Sequence, residues 1–307
     1  MRVAILAGGT GGTKLAHGFA MLPQVELSVI ANVGDDAEIH GLLVCPDIDA
    51  LLYTLSGLID TERGWGVRGD THTAHAMFER YGEETWFTVG DADLAAHATR
   101  TRWMRDGSSL TDATVRMAAA LGIEARSRIL PATDDPVRTL IETPDGELAF
   151  QEYFVKHRQE PEVRGVRFAG LDAARPSPVA LGAVDAADLV VIGPSNPIVS
   201  IGPILELRGF REAVAGRPVT AVSPIVAGRA LKGPADRMLA SLGHEVSALG
   251  VARLYAGLAD RFVIDEADAD LAPAITALGM EPIVLPTVMR TDADRAALAA
   301  ALVAHAA

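Results

Sequence analysis

The 307-residue sequence has a single cysteine, Cys45. One cysteine excludes an internal disulfide framework and a metal site made of cysteines alone, so it favours a reducing compartment. Long apolar runs are missing too: "LVVIG" at Leu189 falls far short of the roughly 20 residues that a membrane-spanning helix needs. The first apolar run reaches glycine too early for a signal peptide. We therefore expect a cytoplasmic protein that is not embedded in a membrane.

Positive charge is scarce. Lysine and arginine number 27 against 40 aspartates and glutamates, which gives a formal net charge of -13. Such a field repels phosphate backbones and anionic lipid surfaces, so we expect neither nucleic acid nor a membrane as a partner. Hydrophobic residues make up 49% of the chain, enough to bury a substantial core.

Short, continuous apolar runs that end in glycine, asparagine or proline recur along the chain. Such runs alternating with helix-length segments are typical of a parallel sheet covered on both faces. The sequence therefore predicts an α/β protein, a Rossmann-like parallel sheet sandwich. The six predicted strands begin at Val3, Leu27, Leu189, Val219, Arg261 and Pro282.

The middle of the chain has a different pattern, because apolar residues there recur mainly at helical spacing. We predict a nucleotide-binding core made of residues 1–49 and 165–307. Residues 50–164 would form a mostly helical insertion with an extended segment near "LAFQEYFV" at Leu148. Sites in such folds form at the carboxyl ends of the strands, so the insertion is expected to cover the active site.

A glycine-rich turn follows the first predicted strand, in "AILAGGTGGTKLAHGF". A P-loop requires glycine before its lysine and serine or threonine after it, whereas Thr13 and Leu15 flank Lys14. A dinucleotide fingerprint requires a third glycine where Lys14 stands. An anion-binding turn at a helix N-terminus fits better, and a turn with no ligand is the plain alternative. The turn consists of Gly8, Gly9, Thr10, Gly11 and Gly12.

Acidic residues crowd the region after the second predicted strand, in "ANVGDDAEIHGLLVCPDIDALLY". Carboxylates beside a phosphate site favour a magnesium ion, which takes one or two carboxylates together with phosphate oxygens. The simpler alternative is that Asp47 or Asp49 caps the helix that follows. The other candidates in this stretch are Asn32, Asp35 and Asp36.

Taken together, five ordered motifs resemble the 2-phospho-L-lactate transferase family of coenzyme F420 biosynthesis. They are "GGTGG" at Gly8, "ANVGDD" at Ala31, "HGLLVCPDIDALLY" at His40, "RDGSSLTDAT" at Arg105 and "IGPSNPIVSIGPIL" at Ile192. The resemblance covers nearly the whole chain. "NVGDDAEIHG" and "ERGWG" look closer to the actinobacterial, phosphoenolpyruvate-type branch.

This resemblance implies a Mg²⁺-dependent transfer of a phospho-three-carbon-acid unit from a guanosine-diphosphate-linked donor to a hydroxyl of the deazaflavin Fo, with release of GMP. The unit would be enolpyruvyl phosphate or 2-phospho-L-lactate. A homodimer is the expected assembly. Two alternatives stay open at this point: a nucleotide-sugar-binding regulatory protein of the gluconeogenesis-factor type, and an NAD-dependent dehydrogenase.

The resemblance also implies roles for individual residues. The turn from Gly8 to Gly12 would contact the diphosphate, and Asp35 and Asp36 would hold the metal. Asp49 is the first candidate to orient or deprotonate the attacking hydroxyl and Asp47 is the second, and Asp36 is also expected to be catalytic. Substrate contacts are expected from Asn32, Asp47, Asp49, Ser195 and Asn196.

Three further predictions concern the insertion and Lys14. Trp65 would either stack on a flat heterocycle or pack on the core. The arginines of the "HATRTRWMR" segment are expected on a solvated helix face or, alternatively, against a phosphate; they are Arg100, Arg102 and Arg105. Lys14 would reach a phosphate or point to solvent.

Overall fold

A computed structural model describes residues 1–306. The strands are β1 (Arg2–Ala7), β2 (Glu26–Ala31), β3 (Ala37–Ile39), β4 (Leu42–Val44), β5 (Ser127–Pro131), β6 (Arg138–Thr143), β7 (Gly146–Ala149), β8 (Gly165–Ala169), β9 (Leu189–Ile192), β10 (Val219–Val222), β11 (Ile225–Val226), β12 (Arg229–Ala230), β13 (Arg261–Ile264) and β14 (Glu281–Val284).

The α-helices are α1 (Gly9–Ala20), α2 (Pro46–Leu55), α3 (Thr73–Arg80), α4 (Asp91–Arg105), α5 (Leu110–Ala120), α6 (Pro178–Ala186), α7 (Gly202–Leu205), α8 (Phe210–Ala215), α9 (Ala235–Ser241), α10 (Ala248–Tyr255), α11 (Ala272–Thr276) and α12 (Asp292–Ala306). Two π-helical turns (Glu152–Lys156 and Pro197–Ile201) and a 3₁₀ segment (Glu266–Leu271) complete the chain.

The centre of the molecule is a seven-stranded, fully parallel sheet in the order β14-β13-β10-β9-β1-β2-β5. Its inner strands are buried on both faces, which explains their continuous apolar sequences. All six predicted strands are present, so the predicted Rossmann-like α/β fold is confirmed.

The edge strand β5, which pairs with β2, is not among the strands predicted from the sequence. Its apolar signal is short, because "SRILP" begins with a serine and an exposed arginine. An edge strand has only one neighbour, so it needs a weaker apolar pattern than the strands inside the sheet.

Helices cover both faces of the sheet. On one face α1 packs against α2 and α12, and on the other α6 packs against α8. The chain leaves β1 toward β2 on one side, while β9 pairs with β1 on the other side. The carboxyl ends of β1 and β9 therefore form a topological switch point, where such folds bind ligands.

Elements of the predicted insertion are distributed differently from the prediction. Residues 50–164 hold α3, α4 and α5, but they also contain β5 of the central sheet. The predicted start of the insertion, residue 50, falls inside α2, and α2 packs on α1. The predicted end of the insertion, residue 164, separates β7 from β8, although both strands pair with β6 in one small antiparallel sheet. The segment is thus joined to the core by shared sheets.

The segment predicted to be extended near Leu148 is only partly so. β7 ends at Ala149, and Glu152–Lys156 forms a π-helical turn. Apolar side chains from this turn and from β6 build a second, smaller core around Tyr153 and Ile141. Burial of an aromatic cluster outweighs the strand preference of these residues.

No helix among residues 1–306 is both long enough and apolar enough to cross a bilayer.

Two helical glycines give a matched test of packing on α1. A Cβ added at Gly18 would lie 2.2 Å from the Arg295 carbonyl oxygen of α12, so Gly18→Ala should lower the free energy of unfolding by about 1–3 kcal/mol. At Gly182 on α6, beyond the neighbouring residues and backbone of its own helix, no heavy atom of the described residues lies within 4 Å of the added Cβ. Gly182→Ala should therefore stabilise the fold by about 0.5–1 kcal/mol. Urea unfolding measures both, and equal shifts would contradict the α1–α12 contact.

Candidate active site

The glycine turn is pressed against the loop that follows β9. A Cβ at Gly11 would lie 2.0 Å from the Pro194 carbonyl oxygen, and one at Gly12 would lie 2.5 Å from Ser195 Oγ. Ser195 Oγ in turn accepts a hydrogen bond from the Gly8 amide at 3.3 Å. Glycines are needed here because two backbones approach each other closely, which the sequence could not show.

Asp47 ties this turn to α2. Its Oδ1 accepts a 2.6 Å hydrogen bond from the Gly9 amide, and its Oδ2 accepts a 2.9 Å bond from Asn32 Nδ2. Asp47 therefore serves the first amide of α1 rather than capping its own helix, and the N-cap residue of α2, Cys45, makes no side-chain cap. Burial raises the pKa of Asp47, while the bonds from Gly9 and Asn32 oppose that rise.

Asn32 joins three segments of the site. Its Nδ2 also lies 3.4 Å from the Val199 carbonyl oxygen, and its Oδ1 accepts a hydrogen bond from the Gly34 amide at 2.8 Å. This fully buried amide therefore links the segment after β2 to α2 and to the π-helical turn after β9.

Asp35 and Asp36 are buried, and each keeps one oxygen free. Oδ1 of both residues has no hydrogen-bond partner within residues 1–306. Burial raises the pKa of Asp36 to about 7. The pKa of Asp35 also lies well above its ordinary value, because of burial and the charges of Asp47 and Asp36. Buried carboxylate oxygens without donors are suited to a cation.

Asp49 has a different environment, since it forms a buried ion pair with Arg100. Arg100 donates from Nη1 to Asp49 Oδ2 at 3.2 Å and from Nη2 to Asp49 Oδ1. The Cys45 amide also donates to Oδ2, at 3.3 Å, and His97 Nδ1 lies 3.5 Å from the same atom. Both oxygens of Asp49 are therefore engaged.

A second carboxylate, Asp93, completes this buried group. Its Oδ1 accepts a 2.6 Å hydrogen bond from Tyr53 and lies 3.4 Å from His97 Nε2. Asp49, Asp93 and His97 offer metal-ligating atoms within 4.8 Å of one another. The Arg100 guanidinium already compensates Asp49, so a metal cation is disfavoured there.

Comparison with known proteins identifies the family. The family model described as "2-phospho-L-lactate transferase CofD" matches residues 3–284. The chain belongs to the CofD family. A 2-phospho-L-lactate transferase of Methanosarcina mazei is 44% identical over 265 residues, which cover 86% of this chain and 87% of that one. A phosphoenolpyruvate transferase of Streptomyces griseus is 41% identical, covering 97% and 95%.

These relatives make the CofD-family chain an enzyme of the transferase class. Two solved structures of one Bacillus halodurans protein, one of them described as a member of the UPF0052 family, match with TM-scores of 0.64 and 0.63 and cover 98% of both chains. That protein shares 18% sequence identity, so this likeness shows the fold alone.

Most of the predicted site residues of this CofD-family enzyme lie together at the switch point. The gathered residues are Gly8, Gly9, Thr10, Gly11, Gly12, Asn32, Asp35, Asp36, Asp47 and Ser195. Asn196 lies in the same loop, but its Oδ1 accepts from the amides of Ile198 and Val199. The predicted roles of these residues stay predictions.

Two other candidates lie outside this group. Trp65 is 47% exposed, with the Arg63 guanidinium 5.7 Å from its ring, so the alternative of packing on the core is wrong. Lys14 donates to the Met289 carbonyl oxygen at 2.9 Å, and burial lowers its pKa. Its ammonium therefore binds the segment before α12.

The buried contacts that join Arg100, His97 and Asp93 of α4 to Asp49 were not predicted from the sequence. Arg100 was expected on a solvated face but is fully buried, whereas Arg102 and Arg105 are exposed. The available signal was spacing: Asp93, His97 and Arg100 lie at i, i+4 and i+7, which is one face of a helix.

Asp36 predicts a pH dependence of stability. The folded protein holds a proton on Asp36 up to about pH 7, whereas the unfolded chain releases it near pH 4. The contribution of Asp36 to stability therefore falls as pH rises through this window. In EDTA, wild type should lose stability between pH 5 and 8 more steeply than Asp36→Asn, since one pKa unit corresponds to about 1.4 kcal/mol.

Urea unfolding at both pH values measures this difference. Asp185→Asn, at an exposed position on α6, is the control and should behave like wild type. Equal pH slopes for wild type and Asp36→Asn would contradict the assignment.

Proposed function

We propose that this enzyme transfers a phospho-three-carbon-acid unit from a guanosine-diphosphate-linked donor to a hydroxyl of the deazaflavin Fo. The hydroxyl oxygen forms a new bond to the phosphorus that carries the three-carbon acid. The bond from that phosphorus to the bridging oxygen breaks, GMP leaves, and the hydroxyl proton passes to a base. The product is a phosphodiester, as required for a precursor of coenzyme F420.

One observation carries this proposal: two buried carboxylates with free oxygens lie beside a glycine turn at a helix N-terminus. The first turn of α1 offers amides, such as those of Thr10 and Gly11, that no intrahelical acceptor satisfies. Such amides bind phosphate oxygens. The neighbouring carboxylates would repel a diphosphate on their own, so the site calls for a cation between them.

Magnesium fits these residues. Asp35 and Asp36 are the residues that would hold it, because each has a buried oxygen without a donor. When bound, Mg²⁺ supplies positive charge that stabilises the diphosphate and the leaving GMP. The chain itself positions the reactants, as is usual in phosphoryl transfer.

Between the two predicted catalytic aspartates, the geometry favours Asp36 for contact with the hydroxyl. Asp36 Oδ1 accepts no hydrogen bond within the described residues, and a carboxylate oxygen has two lone pairs, so this atom can bind the ion and still accept the hydroxyl. Both oxygens of Asp49 accept hydrogen bonds, and the side chain is buried. This weighs against Asp49 as the base.

The other functions considered are not favoured. The family match and the identity to transferases run through the whole sheet, whereas the likeness to the UPF0052 protein lies in the fold alone. A dinucleotide site would need glycine at Lys14, whose side chain instead binds Met289.

The donor, location and assembly are further parts of the proposal. Relatives from Streptomyces griseus and Thermobifida fusca, both named phosphoenolpyruvate transferase, cover 97% and 99% of this chain. Relatives named 2-phospho-L-lactate transferase match over up to 97% of the chain as well, so the "NVGDDAEIHG" and "ERGWG" motifs are what support an enolpyruvyl donor. We propose a cytoplasmic homodimer, which light scattering of the pure protein would test.

The reaction is tested by incubating the protein with Fo, Mg²⁺ and each guanylylated three-carbon acid. Mass spectrometry should detect the phosphodiester, and GMP should appear in equal amount. Asp36→Asn should lose turnover by a factor of about 100 or more while still binding GDP. Asp185→Asn should keep wild-type turnover. No product with any donor would refute the proposed function.

The metal is tested without turnover. Mg²⁺ should raise the thermal midpoint of wild type in the presence of GDP, because a ligand that binds only the folded state stabilises it. Asp35→Asn and Asp36→Asn should gain much less. If both variants are stabilised as strongly as wild type, these carboxylates do not hold the ion.

A further inference from the structure

Arg100 is a charged side chain with no exposed surface in the described structure, and it lies on α4, away from the glycine turn. Burying a guanidinium is costly unless every donor direction finds an acceptor. Its position therefore needs an explanation beyond the solvated helix face that the sequence predicts.

Arg100 and its neighbour hold the strand that leads into α2. Arg100 Nη1 lies 3.4 Å from the Leu43 carbonyl oxygen, and Thr101 Oγ1 accepts a 2.7 Å hydrogen bond from the Leu43 amide. The backbone amide and the carbonyl oxygen of Leu43 in β4 are thus both hydrogen-bonded to side chains of α4. Cys45 follows two residues later, at the N-cap position of α2.

From Arg100 a continuous line of contacts reaches Asp36. Arg100 binds both oxygens of Asp49, and Asp49 Oδ2 accepts from the Cys45 amide. The Cys45 thiol then donates to Asp36 Oδ2 at 3.2 Å. With Oδ2 occupied, Asp36 leaves Oδ1 free.

The thiol is suited to this role. Cys45 is fully buried, and burial raises its pKa well above the ordinary value, so the sulfur keeps its proton as a donor. His97 lies between Asp49 and Asp93, 3.5 Å from Asp49 Oδ2 and 3.4 Å from Asp93 Oδ1, without a hydrogen bond to either. Tyr53 in turn fixes Asp93.

We propose that Arg100 is a positioning residue, which acts through Asp49 and Cys45 to orient the Asp36 carboxylate toward the reacting groups. This inference rests on the proposed function, since that function gives Asp36 its role. It also assigns Asp49 a positioning role. The α4 helix thus sets the catalytic geometry without touching substrate.

The first test compares two arginines on the same helix. Arg100→Met should lower kcat by about 100-fold with KM for the donor little changed, because a small misplacement of a reacting group has that effect. Arg102→Met, at an exposed position, should match wild type. Equal kcat values for Arg100→Met and wild type would overturn the proposal.

A double variant covers the case in which Arg100→Met fails to fold. Arg100→Met combined with Asp49→Leu removes both members of the ion pair, so neither is left buried without the other. It should fold, yet kcat should stay low because the Cys45 amide has lost its acceptor. Wild-type turnover in this variant would show that the pair contributes stability only.

Variants at Cys45 test whether Asp49 acts by positioning Asp36 or by contacting the substrate directly. Cys45→Ala removes the donor to Asp36 and should lower kcat by about tenfold or more, whereas Cys45→Ser keeps a donor and should recover most of the loss. If both variants turn over like wild type, the route through Cys45 is wrong.

Thiol labelling tests the positioning role of Arg100 independently of the proposed reaction, because it does not require turnover. Cys45 is the only cysteine, so its labelling by a thiol reagent under native conditions reports opening of the contact between α4 and α2. Arg100→Met should label about tenfold faster than wild type and Arg102→Met at the wild-type rate. Equal rates for wild type and Arg100→Met would overturn the inference, even if no donor is turned over.

Discussion

The hydrogen bonds of the Asp47 carboxylate are the contacts on which the rest of the site depends. They join the first amide of α1, at Gly9, to the amide of Asn32 at the end of β2. Asp47 thereby fixes α1, α2 and the end of β2 relative to one another. Because Asp47 is buried, its charge is stabilised only by these donors and by whatever cation the site takes up. The turn is therefore shaped by an acidic side chain before any phosphate enters.

The buried carboxylates fall into two groups that differ in how their charge is compensated. Asp49 is neutralised by Arg100, an arginine from another part of the chain. Asp35 and Asp36 have no such partner on their free oxygens within the described residues. Burial consequently raises the pKa of both residues. This contrast is the physical basis for assigning a structural role to the first group and a metal and substrate role to the second.

Sequence patterns predicted six of the seven strands of the sheet and placed the candidate site residues at one sheet edge, but they did not predict the pairing of the buried charges. Continuous apolar runs predicted the six strands because both faces of a parallel sheet are buried. The motifs after β1, β2 and β9 converge because parallel strands end at one edge. The edge strand β5 escaped prediction because its pattern is short. The burial of Arg100 was not predicted, because a charged side chain is usually exposed.

By itself, the sequence determined the order of the strands' apolar runs, the glycine turn and the set of carboxylates available after β2. These are local properties, carried by neighbouring residues. Only the tertiary structure decided which carboxylates are compensated, since Asp49 and Arg100 are 51 residues apart and meet where α4 packs on β4, the strand that leads into α2. It also decided why Gly11 and Gly12 are glycines, because the loop after β9 approaches them only in the folded sheet.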